Sequence, residues 1–330
     1  MSGRRRVLIT GIAGQDGSLL AELLCAEGAE VHGAVRGPLN RELPNLAAVR
    51  TELLLHELDI DVPGVLPPLV AEIVPDEVYH LAARAFVPES WLDPAATIRS
   101  VTAASAELIA AVREHAPAAH VVVAGSREMF GDCARSPQDE LTPPQPSSPY
   151  GVAKLATHQL VGLAREHDAL HVSSAILFNH ESPRRQESYV SRKVTRAAAA
   201  ISLGLADELT LGDLDAVRDW SAAEDIVRGL RAIASAEQAD DYVLASGVGH
   251  TVRELVAAAF AVVELDPSRY VRVDERFVRR PEPSPPVGDP SRARSRLGWH
   301  AQTSFEELIR EMVQADLAAL RAGPACPTRS

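Results

Sequence analysis

Apolar residues in this chain come in short blocks whose spacing alternates between strand-like and helix-like. Val7-Leu8-Ile9 runs into Thr10-Gly11-Ile12-Ala13-Gly14-Gln15-Asp16-Gly17, and Leu19-Leu20-Ala21-Glu22-Leu23-Leu24 follows at helical spacing. Strand, glycine turn and helix are predicted in that order. A second strand is predicted over residues 29–35, and strand-like runs recur at 52–55, 77–81, 120–123 and 171–178, separated by segments of helical periodicity. The alternation predicts an α/β protein built on a doubly wound parallel sheet. The predicted helix over 95–115 and the one starting near Tyr150 are apolar on several faces, which suits either a partner subunit or burial within one chain.

Past residue 180 the pattern becomes shorter and less regular, with helices expected at 191–203, 222–235, 251–263 and 304–320 and a strand at 209–211. Residues 1–178 therefore form the expected Rossmann-type domain, and 179–330 form mainly a smaller α/β substrate-binding lobe with some elements returning to the first domain. The proline clusters at 137–149 and 281–290 read as loops flanking the chemistry, and 323–330 as a frayed tail.

Hydrophobic content of 46% is ample for a core, and no apolar run reaches the length expected of a bilayer span. Met1-Ser2-Gly3-Arg4-Arg5-Arg6 has the basic character of a secretory start, but the apolar run behind it is short and enters the glycine turn, so a cytoplasmic protein is expected. The net charge of −12 disfavours nucleic acid and anionic membranes as partners, while leaving room for local arginines that hold a phosphorylated small molecule. Cys25, Cys133 and Cys326 fit neither a disulfide framework nor a metal site.

The opening turn carries the first chemistry. Gly11, Gly14 and Gly17, with Gln15 and Asp16 between them, let the backbone approach a pyrophosphate whose charge meets the free amides of a helix start. A dinucleotide is the usual ligand of such a turn, although close packing alone also demands glycine. The second strand ends at Arg36, where an acidic residue would grip a ribose 2′-hydroxyl; arginine there suits the 2′-phosphate of NADP.

Tyr150 and Lys154 stand four apart at a helix start marked by Ser148 and Pro149, so they share one face. A phenol with an ordinary pKa of about 10 is a poor base, and an ammonium together with an oxidised nicotinamide would favour the phenolate. Upstream, the strand at 121–124 ends in Gly125-Ser126-Arg127-Glu128, at the end of the sheet where α/β folds place ligands. Ser126 can hydrogen-bond a reacting hydroxyl and Glu128 can act as a base on an acidified carbon; a helix cap and a solvated carboxylate are the plainer readings of that segment alone.

These blocks together, TGIAGQDGS, VHGAVR, SPYGVAK, LFNHESPRR, LGDLDAVRDW and REMVQADL, closely resemble the GDP-mannose 4,6-dehydratases, extended short-chain dehydrogenase/reductase enzymes of nucleotide sugars. The resemblance spans nearly the whole chain. It implies a hydro-lyase of deoxysugar biosynthesis: NADP+ oxidises C4 of the hexose, the ketone acidifies C5, water leaves across C5 and C6, and hydride returns to C6. By position it implies Ser126, Glu128, Tyr150 and Lys154 as the catalytic set. It places the cofactor against Asp59, Ile60, Leu81, Ala83, Arg84, Ala85, His180 and Arg185, in addition to Tyr150 and Lys154. It places the nucleoside diphosphate against Asn179, Val190, Lys193, Arg218, Arg279 and Glu282. A homodimer is implied, with a tetramer possible.

Four departures stand out. Ser126 replaces threonine but keeps the hydroxyl. Arg127 replaces a small polar or acidic residue; on a strand its side chain would point away from that of Glu128. Arg84 and Phe86 replace an amide and a histidine, and the arginine-serine loop that helps build the family's tetramer is shortened to residues 37–41. Two other functions remain open on the residues: a GDP-sugar epimerase or 4-reductase using the same Tyr150 and Lys154 pair, and a non-catalytic homologue that binds NADP or a nucleotide sugar.

Overall fold

The computed structural model describes residues 4–274, 276 and 282–323. In its first half the chain lays down β1 (Arg6–Thr10), α1 (Gln15–Ala26), β2 (Glu30–Val35), β3 (Leu53–Glu57), α2 (Leu66–Ile73), β4 (Glu77–His80), α3 (Val87–Leu92), α4 (Pro94–Ile98), α5 (Ala104–His115), β5 (His120–Ala124), α6 (Pro149–His167) and β6 (Val172–Leu177). The second half adds β7 (Asn179–Glu181), α7 (Val190–Ser202), β8 (Leu209–Leu211), β9 (Val217–Ala222), α8 (Ala223–Ala234), β10 (Asp241–Leu244), β11 (Gly249–Thr251), α9 (Val252–Val262), β12 (Val271–Val273), α10 (Ser291–Leu297) and α11 (Phe305–Ala322).

Seven strands pair in the order β10-β6-β5-β4-β1-β2-β3, every neighbouring pair parallel. Parallel strands need helical crossovers, and both faces of this sheet are accordingly covered. On one face α1 and α8 bury Leu20, Leu24, Ile226 and Leu230 against β-strand residues such as Ile9 and Tyr79. On the other, α2, α5 and α6 bury Val70, Leu108, Val112 and Val161 against Leu8, Val78 and Val121. Strand order reverses between β1 and β4, so the loops at their carboxyl ends diverge and leave a crevice.

The predicted strand over 171–178 divides, for a physical reason. β6 stays in the main sheet through Leu177, the Phe178 amide donates to Leu244 O at 3.1 Å, and β7 then leaves to pair with β9. β7, β9 and β11 form a small sheet, and β8 pairs with β12. Over these, α7, α9 and α11 enclose a separate core that includes Val194, Trp220, Phe260 and Met312. α9 and α11 each begin with a capping box, Thr251 with Glu254 and Ser304 with Glu307, which satisfies otherwise orphaned amides.

Two expectations are corrected. The helix over 95–115 is interrupted by a π-helical turn, Arg99–Ala103, between α4 and α5. Contrary to the reading that no apolar run is long enough, the stretch Pro94–His115 has the length and composition of a membrane span. Burial identifies it instead as a core helix: 56% of its window lies inside the protein, and α5 packs on α2.

The proline-rich loops are tied to each other. Gln138 N donates to Val287 O and Asp289 N donates to Gln138 O, both at 2.8 Å. Beneath them the buried Asp219 carboxylate accepts from the amides of Ser246, Gly247 and Gly288. One carboxylate thus holds two loops at the seam between the halves of the chain.

Candidate active site at the carboxyl edge of the sheet

Thr10, Arg36, Asp59, Leu81, Ser126 and Asn179 each lie at or just beyond the carboxyl end of a parallel strand, so the topology gathers most of the sequence-derived positions on one rim. The glycine turn closes with the Gly14 amide donating to Gly11 O at 3.0 Å. A Cβ on Gly11, which has φ of +74°, would stand 2.9 Å from the Ala82 backbone, and one on Gly17 would stand 2.4 Å from Gly11 O. No side chain fits at either place. Gly14, by contrast, is the exposed residue preceding α1, leaving amides of the first turn open to an anion.

Gln15 and Asp16 are turned toward β7. Gln15 Nε2 donates to His180 O at 3.1 Å, and its Oε1 accepts from Ser182 Oγ at 2.9 Å. His180 Nδ1 lies 2.7 Å from Phe178 O and its Nε2 lies 2.9 Å from Asp16 Oδ2; both neighbours are acceptors, so the imidazolium is the form that satisfies both. Burial alone would lower the His180 pKa, but the charge and hydrogen bond of Asp16 outweigh it and hold it above the ordinary value. Burial would raise Asp16, and His180 outweighs that in turn. The pair fastens β7 to the opening turn, so these side chains shape the crevice from within.

Arg36 is exposed and makes no hydrogen bond or ion pair with any described residue, leaving a free guanidinium at the end of β2. Arg41 folds back to within 3.8 Å of the place where a Cβ on Gly37 would stand, which brings a second cation to this strand end. Asp59 Oδ1 accepts from the Asp61 amide at 3.1 Å, and Ile60 packs into the sheet's second core. Arg84, exposed, forks onto Asp61 Oδ2 through Nε at 3.0 Å and Nη2 at 2.7 Å, joining the loops after β3 and β4. Ala83 packs beside Tyr150, and Ala85 is exposed.

α6 starts where the sequence predicted. Ser148 Oγ accepts from Gly151 N at 3.0 Å and Pro149 is in the first turn. Tyr150 and Lys154, one helical turn apart, are both buried, and the Lys154 ammonium sits 5.7 Å from the centre of the Tyr150 ring while donating to Ala124 O at 2.7 Å. Gly151, unnoticed in the sequence, has a physical requirement: a Cβ would lie 2.4 Å from Glu128 O. Its bareness lets α6 lie against the turn that carries Ser126 and Glu128, and a glycine directly after the tyrosine was the available signal.

The protein's own groups do not by themselves give the lowered phenol that Lys154 together with an oxidised nicotinamide is expected to bring. Burial comes first, followed by the charges of Glu128 and Tyr189, and together they push the Tyr150 phenol well above its usual range despite a hydrogen bond with Ser126 and the charge of Arg185. Burial also brings Lys154 down to about 8. The protein's own groups therefore keep Tyr150 protonated.

Arg127 departs further from expectation. Residues Arg127–Met129 form a 3-10 turn rather than a strand, so adjacent side chains need not point apart. Arg127 Nη2 meets Glu128 Oε1 at 2.7 Å, and Nη1 meets Glu282 Oε1 at 3.0 Å. Arg218 Nη1 reaches Glu282 Oε2 at 2.5 Å. Burial would lower the Arg127 pKa, but Glu128 and Glu282 raise it; at Arg218 burial and the charge of Arg127 prevail, and its pKa is lowered.

The other positions expected to hold the nucleoside diphosphate are spread over the second half. Asn179 opens β7 opposite Trp220, Val190 opens α7, and exposed Lys193 donates to Thr210 O at 2.7 Å. Arg279 lies outside the described residues. Arg185 lies 3.6 Å from the centre of the Tyr189 ring, which meets Phe86 edge-on with ring centres 5.5 Å apart. Tyr189 was missed because an aromatic before a helix carries no distinctive spacing.

Comparison with known proteins agrees with this arrangement over nearly the full length. The family model described as GDP-mannose 4,6 dehydratase matches residues 8–312. "GDP-mannose 4,6 dehydratase 2" of Arabidopsis thaliana is 40% identical over 326 residues, spanning 95% of this chain and 87% of that protein. Among solved structures, RMD from Pseudomonas aeruginosa complexed with NADPH superposes with a TM-score of 0.80 at 25% identity, over 95% of this chain and 99% of that one. The UDP-glucose 4-epimerase of Thermus thermophilus in complex with NAD gives 0.83 at 25% identity, with the same two coverages, 95% and 99%. The fold is shared with an epimerase, whereas the full-length match separates this chain from it: it belongs to the GDP-mannose 4,6-dehydratase family.

Proposed function

We propose that this protein is an NADP-dependent hydro-lyase that converts GDP-mannose to GDP-4-keto-6-deoxymannose. The observation that carries the reading is the convergence of Ser126, Glu128, Tyr150 and Lys154, held together by the contact of Gly151 with the Glu128 backbone, in a chain of this family.

The residues fit a dinucleotide: the turn at Gly11 and Gly17 has no room for a Cβ, and Arg36 offers a guanidinium unpaired among the described residues. Gly11, Gly14, Gln15, Asp16 and Gly17 would hold the pyrophosphate side and Arg36 the 2′-phosphate, with Asp59, Ile60 and residues 81–85 along the rest. When bound, an oxidised nicotinamide supplies the hydride acceptor and donor and a cationic ring. Positive charge from that ring would let Tyr150 ionise, and the phenolate takes the proton from the C4 hydroxyl, which Ser126 orients by hydrogen bonding, while Lys154 adds positive charge on the same helix face. Glu128 then removes the proton from C5, made acidic by the C4 ketone, and gives it to the C6 hydroxyl, which leaves as water; the hydride would return to C6 and a proton from solvent to C5, completing the product. Arg218, Glu282, Lys193 and Asn179 hold the nucleoside diphosphate, for which arginine forks and carboxylates are suited.

Incubation with GDP-mannose is expected to yield a product lighter by one water. A product of unchanged mass would move the reading to an epimerase, and no product would leave a binding protein. NADPH is expected to bind at least ~10-fold more tightly than NADH, as a charge-assisted contact to the 2′-phosphate implies. Equal affinities in a fluorescence titration would show that Arg36 serves no phosphate. Cys25 and Cys133 are free thiols, in keeping with the cytoplasmic location that forms part of this reading.

A further inference from the structure

Arg127 stands directly beside the residue assigned as base, and only 9% of its side chain is exposed. The turn does not require it. Ser126 Oγ accepts from Glu128 N and Phe130 N donates to Arg127 O, contacts that any residue at this position would permit. What the guanidinium adds is charge and reach: one Nη serves Glu128, the other serves Glu282, and Glu282 passes its second oxygen to Arg218. Its Nε is buried without a hydrogen-bond partner among the described residues, so both attachments run through the Nη groups. The outcome is a row of alternating charges, Glu128, Arg127, Glu282, Arg218, from the turn after β5 to β9. A planar guanidinium can serve two carboxylates at once, which an ammonium does with less fixed geometry.

We propose that Arg127 is a positioning residue for the elimination step: it holds the Glu128 carboxylate and couples it, through Glu282, to the groups that take the nucleoside diphosphate. This rests on the reading that Glu128 removes the C5 proton and that Glu282 and Arg218 bind the nucleotide. The ionisable groups acting on Glu128 are Arg127 from its own turn, Arg218 from β9 and the Tyr150 phenol from α6. One guanidinium thus serves both the base and Glu282, and fixes where each carboxylate stands.

The test is deuterium uptake at C5 when the NADP-loaded enzyme turns over saturating GDP-mannose in heavy water, read beside the appearance of reduced nicotinamide on mixing. Arg127→Ser is expected to slow C5 uptake by ~10-fold or more while nicotinamide reduction keeps the rate of the parent, because C4 oxidation does not use Glu128. Glu282→Gln is expected to slow C5 uptake even at saturating substrate, since it cuts the link between the base and Arg218. Arg127→Lys keeps a cation beside Glu128 and is expected to restore most of the uptake, which guards against a serine variant that folds poorly. A side chain that only stabilises the fold would lower the melting temperature and slow both readouts together. C5 uptake like that of the parent in Arg127→Ser or in Glu282→Gln, or equal slowing of both readouts in both Arg127 variants, overturns the proposal alone. No C5 exchange in the parent overturns the functional reading and this proposal with it.

Discussion

Tyr150→Phe is expected to fold normally, to bind NADPH as the parent does, and to lose turnover by ~10²-fold or more, the usual scale for removing a general acid-base group. The ring is buried against Val101 and Ala153, with Ala83 and Val87 alongside, and phenylalanine keeps all of that packing. What disappears is the hydroxyl and its hydrogen bond with Ser126, a change worth about 1 kcal/mol in stability and therefore small beside the kinetic effect. The high pKa of the buried phenol sharpens the expectation: any phenolate that forms does so only when positive charge enters the site with the ligands. Initial rates with GDP-mannose and a thermal melt decide the matter. Full activity in a well-folded variant would remove Tyr150 from the mechanism.

Glu128→Gln is expected to separate the two halves of the reaction. Glutamine preserves the shape of the side chain and can still accept a hydrogen bond from Arg127, so the turn at Arg127–Met129 should persist. It cannot take a proton. Proton removal from C5 follows C4 oxidation, so the variant should still develop the absorbance of reduced nicotinamide on mixing with substrate. Exchange of the C5 hydrogen with heavy water and release of product should both fall by ~10²-fold or more. Normal turnover in the variant, or parent product without deuterium at C5, would replace the dehydratase reading with a 4-epimerase or reductase, neither of which draws a proton from C5.

Much of this site was legible in the chain because it depends on local rules. A glycine turn between an apolar strand and an amphipathic helix has few other solutions, and Gly11 and Gly17 prove to be sterically obligatory. Tyr150 and Lys154 were placed by helix spacing and by the Ser148 and Pro149 start, all of which depend on neighbours within one turn. The family resemblance located Glu128 and Glu282 separately, 154 residues apart in number, without showing that one arginine touches both.

What the amino-acid sequence by itself determined is the parallel α/β architecture, the order of its early elements and the places of the glycine turn and of the Tyr150 and Lys154 pair, because hydrophobic period, turn chemistry and helix starts are properties of short segments. Only the tertiary structure decided how those groups act on one another. Whether Arg127 faces Glu128 turned on β5 ending at Ala124 and the chain going on into a 3-10 turn. Whether Lys154 or burial governs Tyr150 turned on how deeply α6 is seated, and that depth is set by contacts such as Gly151 on the Glu128 backbone. Charge interactions depend on distance and burial in three dimensions, and both come from packing between segments far apart in the chain.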